Sequence, residues 1–211
     1  MYQRPTTHRI DAGTGQMTGA TGRYEKRLAD LDGAYADAAA FADARARNGD
    51  RVVYRVHETR PERRSGDLIF GTTFMEPGRI GDEFYLTRGH LHARADRPET
   101  YYGESGEGLI LLEDPEGATR ILEIGPGILA YVPPMWIHRS INTGDAPLVM
   151  SFCYPCDSGQ DYEVIARSGG MARRIVARDG GWTAIDNPAY RPRSAADVAR
   201  IHATTDDGVP T

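Results

Sequence analysis

From residue 51 onward the chain breaks into short apolar or alternating runs, and almost nowhere before it does so. "RVVYRVH", "DLIFGTTFM", "EFYLTRGHLHA", "PETYYG", "GLILLED", "ATRILEI", "ILAYVPP", "WIHRSIN" and "LVMSFCYP" follow one another, each closed by Gly, Pro, Asn or Asp. Runs this short, rich in β-branched and aromatic side chains, predict strands. "EDPEGA" (113–118) and "NTGDAP" (142–147) predict hairpin turns, and "MARRIVARDGGWTAIDNP" (171–188) predicts a last hairpin with Asp179-Gly180 at its tip. Strand-sized pieces at such regular spacing predict an all-β sandwich or barrel with its core at about 51–188. Residues 1–34 are polar and Gly-rich, and "ADAAAFADARARNGD" (36–50) predicts one short Ala-rich helix stopped at Asn48-Gly49. The expectation is one domain over 1–193, with an N-terminal arm and helix at about 1–50. A polar tail, 194–211, is expected to fray.

Composition narrows the function. In 211 residues, hydrophobic content is 40% and charged content 26%, an ordinary balance for a soluble domain with a sizeable core. The 24 glycines and 13 prolines favour many turns over long helices. A net charge of −5 offers no footprint for nucleic acid, and means that an anionic ligand needs a local positive centre. No apolar run is long enough for a signal peptide or a bilayer span, so a cytoplasmic protein is expected. Cys153 and Cys156 stand as "CYPC". A redox pair wants a helix after its first cysteine, whereas Pro155 follows an apolar strand here; two reduced thiols are expected.

The chemistry concentrates in "GHLHARADRPETYYGESGEG" (89–108). On a strand, residues i and i+2 share a face, so His90 and His92 point together. "RADRP" turns the chain, and Glu99 opens the next strand within reach of the same ion. His138 lies in "GPGILAYVPPMWIHRSIN", where Gly127, Pro133, His138 and Asn142 are spaced as in the second motif of the cupins, with Met135 in place of a glycine. The first cupin motif is matched by the H-x-H pair and by Gly106, although the gap to Glu99 is six residues. Three imidazoles and one carboxylate suit a single divalent first-row metal: Fe²⁺, favoured, or Mn²⁺, Ni²⁺ or Zn²⁺. His8, His57 and His202 lack such company and are expected to be ordinary surface or core residues.

A narrower likeness rests on T-x3-PG-x2-G-x-E-F (73–84), T-x-GH-x-H (87–92), the long gap to E-x-Y (99–101), the VPP-x3-H-x3-N block (132–142) and Asp161-Tyr162. Together they resemble the cupin-type glucose-6-phosphate isomerases of archaea and some bacteria, from "MYQRP" to about "DNPAYRPR". The resemblance implies a cupin (double-stranded β-helix, jelly-roll) barrel, a homodimer, and interconversion of glucose 6-phosphate and fructose 6-phosphate in glycolysis and gluconeogenesis. It puts phosphate contacts at Tyr54, Thr73, Thr87 and Gly89. Glu99 is the carboxylate placed to shuttle a proton, whether hydrogen moves between C1 and C2 as a proton through an enediol or as hydride. Tyr101, Tyr154 and Tyr162 are candidates to hold sugar oxygens, with Tyr154 set beside Glu99 as a catalytic group. Arg88 and Arg97 lie near and could offset the net negative charge. Gln160 departs from the pattern, where archaeal relatives tend to carry His.

Three rivals keep parts of this picture. A cupin Fe²⁺ dioxygenase would use the same ligand types, but not the Thr87-x-Gly89 lead-in. Another sugar-phosphate isomerase or epimerase, acting for example on mannose 6-phosphate, would use the same residues. A regulatory cupin without turnover would normally carry a helix-turn-helix partner, and the sequence predicts only one helix.

Overall fold

The computed structural model describes residues 4–61 and 66–204. With strands numbered in chain order, a six-stranded antiparallel sheet runs β1 (Gly22–Arg27), β2 (Val52–Thr59), β3 (Leu68–Met75), β11 (Leu148–Pro155), β6 (Glu99–Ser105), β9 (Leu129–Val132). A three-stranded sheet runs β10 (Ile137–Asn142), β7 (Gly108–Glu113), β8 (Thr119–Ile124). A third sheet runs β13 (Gly181–Asp186), β12 (Arg173–Arg178), β5 (Glu83–Phe84), β4 (Arg79–Ile80). The first two sheets enclose the core. β7 and β10 are buried at every position, which is why "GLILLE" is a continuous apolar run and not an alternating one. Ile110, Ile137, Leu148 and Met150 are fully inaccessible to solvent. Burying one such side chain stabilises the fold by about 1.5–3 kcal/mol.

The expected strands form, with two corrections. "EFYLTRGHLHA" is not one strand: after β5 only Leu86, His90 and Leu91 make isolated bridges. Gly89 has φ +74, which bends the segment where it passes β10. "NTGDAP" is not a hairpin turn either, because it carries the chain from β10 in one sheet to β11 in the other. The hairpin at Asp179-Gly180 forms as expected, both residues having positive φ (51° and 79°), the pattern of a two-residue turn between twisted strands. In "EDPEGA", Gly117 N–H donates to Asp114 O at 3.0 Å and closes the β7–β8 turn.

The arm and the tail are more ordered than the sequence suggests. Residues of the arm form β1, an edge strand paired along β2. The expected helix is α1 (Ala38–Asn48), capped where the Asp37 side chain accepts from Ala40 N–H at 2.8 Å. Two further helices correct the expectation of one. α2 (Glu163–Arg167) is too short to show a helical period. α3 (Ala195–Ala203) occupies the stretch expected to fray. Ser194 and Asp197 cap it reciprocally, Ile201 is buried, and the Thr204 hydroxyl accepts from Ala95 N–H at 3.2 Å. Residues 1–3 of "MYQRP" and 205–211 of the tail lie outside the described residues.

Candidate metal centre

Two sheets supply the four ligand-type side chains. His138 lies on β10, and His90 pairs with it through both backbone hydrogen bonds, at 3.0 and 2.9 Å. Close approach here needs Gly89, since a Cβ would stand 2.9 Å from Arg139 Cβ and 3.0 Å from His138 O. His92 follows one residue beyond the bridge of Leu91 to Asp161. The chain then turns, Arg97 N–H donating to Arg94 O, and Glu99 opens β6 in the opposite sheet. Their ligand atoms all lie within 4.8 Å of one another, and no other such group of three or more gathers among the described residues. His92, Glu99 and His138 are each at most 3% exposed.

The hydrogen bonds around the histidines fix what they present. His92 Nδ1 lies 2.7 Å from Arg97 O, and His138 Nδ1 lies 3.0 Å from Trp136 O. A carbonyl only accepts, so both Nδ1 atoms carry the proton and both Nε2 atoms offer a lone pair in the neutral ring. Those Nε2 atoms stand 3.3 and 3.0 Å from the same oxygen, Glu99 Oε2. Lone pairs facing a carboxylate oxygen at that range repel unless a cation lies among them. His90 Nε2 is buried without a partner. Burial, then the neighbouring His138, holds the His90 pKa well below that of a free imidazole, so a proton is a poor candidate for that cation at His90. For Glu99, burial acts to raise the pKa, but the close contacts of His138 and then His92 outweigh it, which requires a proton or a metal ion between those ring nitrogens and the carboxylate. The carboxyl is held far below its usual range and is ionised at neutral pH. This donor set fits a divalent metal.

The pocket above these groups gathers the residues the sequence singled out. Tyr54, Thr73, Thr87, Gly89, His90, Glu99, Tyr101, Tyr154 and Tyr162 all line it. The register explains the grouping: Tyr24 pairs with Val56 and Val56 with Thr73, so β1, β2 and β3 present one row, while Tyr101 pairs with Phe152. The facing wall is tied where Ser140 N–H donates to Thr87 Oγ1 at 3.0 Å. Tyr24, Val56, Ser140 and Phe152 are lining residues that the sequence reading missed. Tyr24 sits in the arm, outside any expected strand, and its only sequence signal is the short alternation in "GRYEKR". Burial raises the pKa of Tyr24, Tyr54, Tyr154 and Tyr162, and at Tyr101 Glu99 raises it further, so these phenols are neutral donors.

Other singled-out residues fall elsewhere. Gln160 lines the pocket, and its Oε1 accepts from the Tyr162 hydroxyl. Arg88 lies over the Tyr162 ring at 4.9 Å. Arg97 does not line the pocket. It makes two hydrogen bonds to Asp157, at 2.9 and 2.8 Å, and one to Asp96, so it braces the loop that holds His92. Met135, in place of the motif glycine, takes the left-handed conformation a glycine would, with φ 76. Cys153 and Cys156 are not joined in a disulfide and lie outside the cluster. His57 is buried, with Met17 N–H 3.4 Å from its Nδ1, while His8 and His202 also stand apart from the site.

Comparison with known proteins places the chain. The family model described as "Glucose-6-phosphate isomerase (GPI)" matches residues 25–193. The glucose-6-phosphate isomerase of Sinorhizobium medicae (strain WSM419) is 56% identical over 94% of this chain and 93% of its own. The protein named putative glucose-6-phosphate isomerase 1 of Rhizobium meliloti (strain 1021) is 54% identical over the same shares. The glucose-6-phosphate isomerase of Thermococcus kodakarensis is 41% identical over 90% of this chain and 98% of that one. Among solved structures, recombinant oxalate oxidase in complex with glycolate matches 52% of this chain and 54% of that chain, at 14% identity and a TM-score of 0.44. With its barrel, its His-x-His pair and its second histidine motif, the chain belongs to the cupin-type glucose-6-phosphate isomerase family.

Proposed function

We propose that this protein is a metal-dependent isomerase that interconverts glucose 6-phosphate and fructose 6-phosphate. The observation that carries the reading is a pocket of neutral hydroxyls above three histidines and one buried carboxylate, in a chain of this family. His90, His92, Glu99 and His138 would hold one divalent ion, with Fe²⁺ favoured and Mn²⁺, Ni²⁺ or Zn²⁺ as alternatives. When bound, such an ion supplies Lewis-acid stabilisation of charge on the sugar oxygens.

The chain's own groups have distinct parts. Tyr54, Thr73 and Thr87 offer hydroxyls, and Gly89 a close-approaching backbone, to a phosphate. Among the described residues no lysine or arginine lines the pocket, and the phosphate is received by neutral donors. Tyr101, Tyr154 and Tyr162 are the hydroxyls available to sugar oxygens, and Tyr154, beside the His92 ring at 5.4 Å, is the one assigned a catalytic part as a proton donor. Glu99, ionised, is the group that holds or moves a proton. Turnover in D₂O separates the two routes: deuterium in the product marks proton transfer, and its absence marks a direct hydrogen shift.

We read the protein as a cytoplasmic homodimer serving glycolysis and gluconeogenesis. Support for the dimer comes from the sheet edge, where Leu129 and Tyr131 on β9 are 66% and 54% exposed beside Ile128 and Tyr102. The deciding experiment is a coupled assay on fructose 6-phosphate with chelated and re-metallated protein. Chelation should abolish turnover, and Fe²⁺ or Mn²⁺ should restore it. Unchanged turnover in thoroughly stripped protein would refute the reading. A mannose 6-phosphate control tests the nearest alternative substrate.

A further inference from the structure

The face of β10 opposite the reaction pocket carries a charge that the isomerase does not explain. Arg139 alternates with His138 and Ser140, so its side chain leaves the other side of the strand. Arg139 is only 7% exposed. Its Nη2 donates to Arg88 O at 3.0 Å, its Nε has no partner, and among the described residues no carboxylate pairs with it. It borders a cavity of about 240 Å³, together with Tyr35, Glu83, Gly170, Arg173 and Arg174.

The charges in this cavity do not balance. Among the described residues Glu83 is the one acid lining it, and its Oε1 is already engaged by Arg174 Nη2 at 2.7 Å and Ala36 N–H at 2.7 Å. Arg173 pairs outward with the exposed Asp186 at 3.2 Å. Arg174 Nε, like Arg139 Nε, is buried without a partner. One guanidinium charge, that of the buried Arg139, is therefore left without a carboxylate partner among the described residues, which is unfavourable for a charge so removed from water. Two guanidinium edges with spare donors match the oxygens of a phosphate or sulfate, and the space far exceeds what one water needs.

We infer that the cavity behind β10 is a second oxyanion site, taking a phosphoryl- or sulfate-type group on Arg139 and Arg174. This goes beyond the isomerase reading and does not rest on it, because the reaction pocket lies on the other side of the strand.

The test is crystallographic. Crystals of the full chain are soaked in sodium selenate and measured at the selenium edge. An anomalous peak within hydrogen-bond distance of Arg139 and Arg174 is expected, separate from any peak at Thr73 and Thr87. Arg139→Met should remove the cavity peak alone, and if that variant does not fold, Arg174→Gln should weaken it by at least half. Competition with inorganic phosphate and with a sugar phosphate distinguishes a bare ion from a phosphorylated metabolite, and displacement by either supports the site. Only water in the cavity at saturating selenate overturns the inference. So does a carboxylate from a second copy filling it, or a peak that persists in Arg139→Met.

Discussion

At the scale of single residues, Glu99 is the group on which the candidate centre turns. It is buried, ionised, and shared by two imidazoles through one oxygen. Glu99→Gln keeps the size but removes the charge. Turnover should fall at least about 100-fold, the usual range for losing a positioned acid–base group, and bound metal should fall with it. Steady-state kinetics with metal analysis checks both; a near-normal kcat removes Glu99 from the mechanism. Acidity gives a second prediction. His90 has a depressed pKa, so protons compete for it only at pH values below the ordinary imidazole range of about 6.5. Metal affinity should therefore hold through about pH 6.5 and weaken only as the pH falls further. Calorimetric titration from pH 7 downward measures it, and a loss already centred at about 6.5 would mean that burial does not depress His90.

At the scale of elements, the loop between His92 and Glu99 is the informative piece. Six residues are more than a tight turn needs, and the excess is spent on bracing. Arg97 gives its carbonyl to His92 Nδ1 and its guanidinium to Asp157, just past the end of β11. Arg94 reaches the same Asp157 at 3.1 Å. The loop is thus fastened to the six-stranded sheet, and the His92 ring is oriented by its backbone. Asp157→Asn should leave the fold intact yet weaken metal binding about 10-fold or more, the usual cost of loosening a group that orients a ligand. Competition with a chelator of known affinity reads this directly, and an unchanged Kd would show that the loop holds its shape without the clamp.

At the scale of the whole molecule, the candidate centre joins the two halves of the barrel. Glu99 belongs to the six-stranded sheet, while His138 belongs to the three-stranded one, with His90 paired to it. An ion held by both sheets binds the native state and not the unfolded chain, so it stabilises by mass action, about 4 kcal/mol at a thousandfold excess over Kd. For a domain near this size that corresponds to a Tm higher by roughly 8–16 °C. Thermal unfolding of chelated against re-metallated protein should show a shift of that order. Equal melting temperatures would mean that the native chain binds no such ion at this centre.

The strands, the β7–β8 turn, the last hairpin, α1 and the four ligand-type residues were legible in the sequence because each rests on local rules. These are alternation, turn chemistry, helix stops, and paired histidines two residues apart. Even there the convergence of His90 and His92 came by a different route. The expected continuous strand is a bent segment, and Gly89 allows its close approach to β10. What remained hidden depends on contacts between residues far apart in the chain. Tyr24 reaches the pocket only because β1 pairs with β2, and α3 is anchored because Ile201 is buried and Thr204 meets Ala95, 109 residues away. Arg97, which looked like a spare charge near a phosphate, is a brace because tertiary packing brings Asp157 to it. Sequence alone determined the ligand types, since those follow from composition and short spacing. Only the tertiary structure decided which oxygen, which wall and which charge faces which, because those follow from how two sheets close over a common interior.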